Sequence, residues 1–417
     1  MRSERLPNTV DRGHLIRLDP TVAKAKVLAR ACGVSRFTYN WALAEWEKQY
    51  KAGGKPTAAK LRKQFNAIKG EQFPWIYDSP RDANSQPFAD LGQAFSNFFA
   101  SCTGKRKGHK VKHPKFRKRG VDDSFYVANY LFKVRQRGKR GVVRLPVIGD
   151  VRMMEPLRWQ GKILNARVFR KANQWFIAIT VETAVKKPHV HDGAIVGVDL
   201  GLKPAVIPSH GDSIEAPKPI KSAVKVLKRA QRQLSRRKKG SKNRNKSRIK
   251  LAKIHQRIAN IRKDFWHKVS TDLVRENQTV VIEDLRQGFM LRNRSLARTA
   301  SDVGLGMLRE MIKYKSLVYG TEVIVADRFY PSTQRCPCCG NIKTGDNKLK
   351  LGDNIYKCNK CTYTGDRNLT AALNLEQYPR LEGNWSHKTQ TSMENSASTC
   401  ESQDLQASRI VEVETRL

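Results

Sequence analysis

In the first hundred residues apolar side chains recur at spacings of three and four: Val34, Phe37, Trp41 and Ala44 in one run, Leu91, Phe95 and Phe98 in another. That period puts each set on one face of a helix, so two helices with core-facing stripes are predicted. Between them, "KAGGKPT" and "FPWIYDSPRDANSQP" carry the Gly, Pro and Asp of turns. From 124 to 186 the period changes to two. "FYVANYLFKV", "GVVRLPVIGDVRM" and "ARVFRKANQWFIAITVE" predict strands, with "KANQ" turning one run into the next. A β-barrel-like unit is expected here, an architecture that commonly offers loops and one face to nucleic acid. "AVKKPHVHDG" then reads as a linker.

A second architecture begins at 193. "AIVGVDLGLKPAVIPS" is apolar, breaks at Gly201 and Lys203-Pro204, and resumes, which predicts two adjacent strands with Asp199 near the end of the first. Val224, Leu227 and Leu234, then Leu251, Ile254, Ile258, Ile261 and Phe265, keep helical spacing on either side of "RRKKGSKNRNK", so a helical hairpin is predicted. "QTVVIEDL" is a short buried strand ending in Glu283 and Asp284, and "TEVIVADRFY" another ending near Asp327. After Pro379 the tail is polar and rich in Ser, Thr, Gln and Glu, and flexibility is its expected state.

Charge changes this picture more than any other bulk property. The chain has 417 residues, 39% of them hydrophobic, enough for two or three packed domains. Its 80 Lys and Arg against 37 Asp and Glu give +43, far beyond what solubility requires. A polyanion partner follows. No apolar run approaches a membrane span and the first residues, "MRSERLPNTV", lack the apolar core of a signal peptide. A soluble intracellular protein is therefore expected. Residues 221–263 hold 18 Lys or Arg and no Asp or Glu, giving the hairpin a positive outer face. Lys228, Arg229, Arg232, Arg236, Arg237, Lys238, Lys239 and Arg244 are its candidate phosphate contacts. The basic stretch "TGKRKGHKVKHPKFRKRG", with Phe116 embedded, adds Lys115, Arg117 and Lys118.

Two constellations carry chemistry. Asp199 and Glu283, each at the end of a buried strand, suit the rim of a sheet where acidic oxygens converge on magnesium ions, as two-metal phosphodiester hydrolysis requires. In a chain this basic they favour a ribonuclease H-like nuclease core. The second is a cysteine cluster. Of the eight cysteines, Cys336 with Cys339 and Cys358 with Cys361 form two C-x-x-C pairs, the pattern of a four-cysteine zinc ribbon, with Cys338 a surplus thiol. With all four positions taken by sulfur, that zinc is structural.

"VGVDLG", "VVIEDL", "LRNRSLARTASDVG", "YKSLVYGTEVIVADRFYPSTQRC", the paired C-x-x-C and "GDRNLTAALNL" together resemble the TnpB (OrfB) family of insertion-sequence proteins, RNA-guided DNA nucleases related to the type V CRISPR effectors. The resemblance implies an α+β multidomain chain: a β-barrel-like wedge domain (1–25 and 105–188) with a helical recognition insertion (26–104). It further implies a RuvC-like nuclease core at 189–330 carrying the basic hairpin, a zinc ribbon at 331–363, a final RuvC helix at 364–378 and a polar tail at 379–417. It also implies a guide RNA transcribed from the transposon end, double-stranded target DNA chosen by a short flanking motif and by pairing, and a two-magnesium site. Asp199 and Glu283 match two of the family's catalytic acids. The third falls on Asn368, where the family has Asp, and the family's Asn falls on Thr370. Asp366 is then the first candidate for the missing acid, with Asp302, Glu376 or Glu394 as other replacements. Without a replacement, the protein would be a guided DNA-binding repressor that does not cut. A DNA-joining transposase is disfavoured, because no His-hydrophobe-His motif with a Tyr nucleophile is present.

Overall fold

The computed structural model describes residues 9–106, 108–121, 123–185, 194–285, 287–350 and 352–381. Of the linker predicted at 184–193, residues 186–193 lie outside the described residues, and so does the predicted tail from 382 on with Glu394; the tail's first residues, 379–381, end the last helix. The chain is mixed α/β and divides into two compact units, one of residues up to 185 together with 230–256, the other of the remainder.

The first unit holds a seven-stranded antiparallel sheet and three helices. The strands are β1 (Thr9–Asp19), β2 (Ser124–Ala128), β3 (Lys133–Arg137), β4 (Arg140–Leu145), β5 (Gly149–Met153), β6 (Lys162–Lys171) and β7 (Gln174–Ala184), in the order β2-β6-β7-β1-β5-β4-β3. The period-two stretches become strands because alternate residues, such as Trp175, Ile177, Ile179 and Val181, are buried on one face. The "KANQ" turn joins β6 to β7 with Ala172 and Asn173 both at positive φ, the geometry of a two-residue hairpin matched to strand twist. Between β1 and β2 come α1 (Val22–Lys51), α2 (Ala58–Gln72) and α3 (Arg81–Cys102). The buried stripe of α1 runs through Leu28, Ala31, Val34, Thr38, Ala42 and Trp46, so Phe37 and Trp41 flank it and Ala44 faces solvent. Asp82, buried in α3, accepts a 2.7 Å hydrogen bond from the Ala128 backbone N–H and fixes β2 against the helices.

The second unit is built on a four-stranded sheet of β8 (Ile195–Leu200), β9 (Val206–Pro208), β10 (Thr279–Glu283) and β11 (Glu322–Ala326), ordered β11-β10-β8-β9. β8, β10 and β11 are parallel and β9 runs against β8. Parallel central strands are covered on both faces, which is why all six residues of β8 are buried rather than alternate. The basic stretch forms α4 (Pro219–Ser235) and α5 (Lys242–Glu276), whose residues 230–256 belong to the first unit, and α6 (Gln287–Arg292), α7 (Ala297–Val303) and α8 (Leu305–Tyr319) lead into β11. A small antiparallel pair, β12 (Ile355–Lys357) and β13 (Thr364–Asp366), precedes the last helix, α9 (Arg367–Leu381). None of the described helices is long and apolar enough to cross a membrane.

Candidate active site

Register fixes the first two acids. Val198 of β8 pairs with Ile282 of β10, so Asp199 and Glu283 are each the next residue on adjacent parallel strands. Equal register on neighbouring strands puts both side chains on the same face of the sheet. Asp199 is 9% exposed. Burial, and then the like charge of Glu283, push its carboxyl from an ordinary 3.8 up to about 7; Asp366 adds in the same sense, while the Leu200 N–H and Arg367 oppose.

The third element is α9, which crosses the face of β8 bearing Gly197. A methyl group on Gly197 would sit 2.0 Å from the Ala372 carbonyl and 2.4 Å from the Glu376 nitrogen, so only glycine admits the helix there. Asp366 caps α9, its Oδ1 accepting from the N–H groups of Asn368 (2.8 Å) and Leu369 (3.0 Å). Asp366 is exposed, and Asn368, in the first turn, is half-buried. Thr370, fully buried, donates to the Asp366 carbonyl at 2.7 Å and meets the Tyr363 hydroxyl at 3.0 Å, locking that turn.

Two replacement acids weighed on sequence are engaged elsewhere. Asp302 is 3% exposed and accepts from the Ile220 and Lys221 N–H groups at the start of α4, with Arg262 3.8 Å away. Glu376 lies further along α9 and pairs with His210 at 2.9 Å. The strand-end acids Asp284 and Asp327 have other duties too: Asp284 pairs with Arg309 at 2.7 Å and Asp327 accepts from the Phe329 N–H.

Glu283 is itself gripped. The buried Ser332 hydroxyl donates to its Oε1 at 2.5 Å. Ser332 is held in turn by Asn374 of α9, whose Nδ2 donates to the Ser332 and Arg335 carbonyls, both at 2.7 Å, and Gln377 donates to the Pro337 carbonyl at 2.8 Å. Sequence reasoning passed over these residues; their only sequence signal is Ser332's place just ahead of the first cysteine pair.

That pair opens a four-sulfur centre. Cys336 and Cys361 are 3.6 Å apart at sulfur, as are Cys339 and Cys358, and all four sulfurs lie within 4.8 Å of one another. Zinc with bonds of about 2.3 Å to a tetrahedron of sulfurs has edges of about 3.8 Å, so the cage fits that ion. Burial pushes the Cys336 thiol up to about 12. Burial also raises Cys358, but the Lys360 and Cys361 N–H groups and the neighbouring thiols outweigh it and bring that thiol down to about 6.

The basic candidates separate by exposure. Lys228, Arg229, Arg232, Arg236, Lys238, Lys239, Lys115 and Lys118 are exposed, and Arg237 is half-buried. Arg244 donates through one nitrogen to the Leu234 and Arg237 carbonyls at 2.7 and 2.9 Å, closing the C-terminal end of α4. Arg117 pairs with Asp90 at 3.0 Å and stacks 3.9 Å over the Tyr39 ring. Both have structural work. Within the first unit the two basic segments approach each other at Gly120 and Arg248.

Family comparisons match this geometry in parts. Residues 178–294 match the family model OrfB_IS605, "Probable transposase", and 306–375 a "Cas12f1-like, TNB domain". Residues 9–55 match a "Helix-turn-helix domain", although here they form a strand and one continuous 30-residue helix. A Streptomyces pristinaespiralis protein provisionally named an RNA-guided DNA endonuclease is 34% identical over 372 residues, 88% of this chain and 89% of the relative. The chain belongs to the TnpB (OrfB) family of insertion-sequence proteins. A second relative, Escherichia coli K12 InsQ, with the same provisional name, is 31% identical over 84% of this chain and 87% of its own. Among solved structures, a Cas12f1–sgRNA–target DNA complex aligns with a TM-score of 0.54 over 88% of this chain and 99% of that one. At 13% identity that likeness is one of fold, and it accords with the family's kinship to type V effectors.

Proposed function

We propose that this protein is an RNA-guided, magnesium-dependent DNA endonuclease of a transposon, cutting beside a short flanking motif. The observation that carries the reading is the pairing of Asp199 and Glu283 on one sheet face, with Asp366 close enough to raise the Asp199 carboxyl. The donor set fits magnesium: it is all oxygen, and like charges crowd a buried carboxylate that a hard cation would relieve. Asp199, Glu283 and Asp366 would hold two such ions in a RuvC-like core. Bound there, the ions supply an activated water and stabilise the leaving oxygen. The chain's own part is to fix the acids: the sheet sets Asp199 against Glu283, and the α9 cap holds Asp366 through one oxygen, Oδ1. The relatives' names support guidance by RNA, as does the aligned complex of fold-related Cas12f1 with its guide and target.

The exposed cations of the hairpin and of 115–118 are the surface for a guide transcribed from the transposon end and for its DNA target, reading backbone and leaving sequence to pairing. The four cysteines hold one structural zinc. A second reading is carried by Asn368: an amide where the family has its third acid makes a guided repressor that binds without cutting. Purifying the protein with its RNA and challenging it with a plasmid library of random flanks tests both. Linearised plasmids sharing one flank support the nuclease. Retention of flank-bearing plasmids with no cut supports the repressor.

A further inference from the structure

The proposed nuclease site is joined to the cysteine centre by a chain of hydrogen bonds. Asn374 and Gln377 are one turn apart on α9 and hold three carbonyls of the segment that enters the first knuckle, those of Ser332, Arg335 and Pro337. Cys336 lies inside that segment, so these bonds tie the knuckle to α9. The segment's first residue, Ser332, is 4% exposed and has its hydroxyl 2.5 Å from Glu283 Oε1. A short bond to an ionised carboxylate from a buried donor is strong and directional, and it leaves the other oxygen, Oε2, to face a cation.

We infer that Ser332 is a positioning residue for Glu283, aiming one carboxylate oxygen at the metal position, and that the cysteine knuckle and α9 hold Ser332 in place. The inference rests on the reading of Asp199 and Glu283 as metal-holding acids. Partners that orient a metal's ligands typically contribute about 10- to 100-fold in metal affinity.

The test is local and does not need DNA cleavage. Fe2+ with ascorbate and peroxide, added to the full-length protein with its bound RNA, cuts the polypeptide beside a divalent site, and Mg2+ suppresses those cuts by competition. Wild type should give fragments ending near 199 and 283, with a Mg2+ concentration for half-suppression that rises about 10-fold or more in Ser332→Ala. Zinc content and guided DNA binding should stay unchanged in that variant. In a Glu283→Gln background, Ser332→Ala should add nothing. Equal half-suppression in wild type and Ser332→Ala, or the same shift in both backgrounds, overturns the positioning role while leaving the acids as ligands. Absence of Mg2+-suppressed fragments in wild type overturns the metal-site reading and this inference with it.

Discussion

Asp199 makes a prediction that reads the site without any nucleic acid. Replacing it with Asn keeps its shape, and an amide oxygen still accepts from the Leu200 N–H, but the charge is gone. In the folded protein the Asp199 carboxyl is raised from 3.8 to about 7, so between those values the folded state holds a proton that the unfolded chain has released. Wild-type stability therefore falls as pH climbs through about 4 to 7, and above 7 the buried charge is carried at full cost. At 1.36 kcal/mol per pH unit the ceiling is about 4 kcal/mol. Relaxation around the charge brings the expected gain of Asp199→Asn at pH 8 to about 1–3 kcal/mol, or about 1 °C in Tm for each kcal/mol in a chain of 417 residues. The assay is thermal unfolding of both proteins at pH 5 and pH 8, without magnesium and without chelators, which would strip the cysteines. The variant should be the more stable at pH 8, and the gap should shrink at pH 5. Added Mg2+ should raise the wild-type Tm at pH 8 and leave the variant unmoved. An offset that is the same at both pH values, or a variant less stable at pH 8, refutes the argument that burial and like charge strain this carboxylate.

Three further outcomes follow from particular contacts. Metal analysis should find one zinc per chain, and Cys358→Ser should lower it and the Tm together, since structural zinc contributes folding free energy on the order of 10 kcal/mol in small peptides; a folded protein free of zinc would contradict this. Affinity for nucleic acid should drop by about three decades between 50 and 200 mM salt if about six cations meet phosphates, and converting Arg236, Arg237, Lys238 and Lys239 to Ala should flatten the slope. An unchanged slope would move the binding surface elsewhere. Gly197→Ala should cost about 3 kcal/mol or more, because the new methyl group meets the Ala372 carbonyl at 2.0 Å, and a neutral result by denaturant titration would contradict the close packing of α9 on β8.

The parts legible in the sequence are those governed by local pattern. Paired cysteines at fixed spacing announce their cage, and acids ending buried strands announce a sheet rim, because strand register brings them side by side without further information. The long period-two and period-three-to-four runs likewise become the strands and helices expected of them. In α1 the predicted Val34 is buried and Phe37 and Trp41 pack partly buried against the core, but Ala44 faces solvent and small Thr38 and Ala42, with their weak hydrophobic signal, share the buried line. Side-chain partnerships were not legible. Asp302 looked free to join the site, yet it caps α4, and Arg117 and Arg244 looked like phosphate contacts, yet one pairs with Asp90 and the other closes a helix. Each of these bonds joins residues whose proximity is decided only after the elements pack. Ser332 is the same case, a common residue made special by the carboxylate opposite it.

The central claim is that the acids cut while the basic surfaces hold. Its most direct measurement is magnesium-dependent cleavage of a matched, correctly flanked plasmid by the RNA-loaded protein, read beside target binding on the same preparation. Wild type should cut. Asp199→Ala, Glu283→Ala and Asp366→Ala should each lower cutting by about 100-fold or more while binding stays intact, and Asn368→Ala should cost far less. If wild type binds its target without cutting it, and Asn368→Asp alone switches cutting on, the nuclease account is contradicted and the protein is a guided repressor.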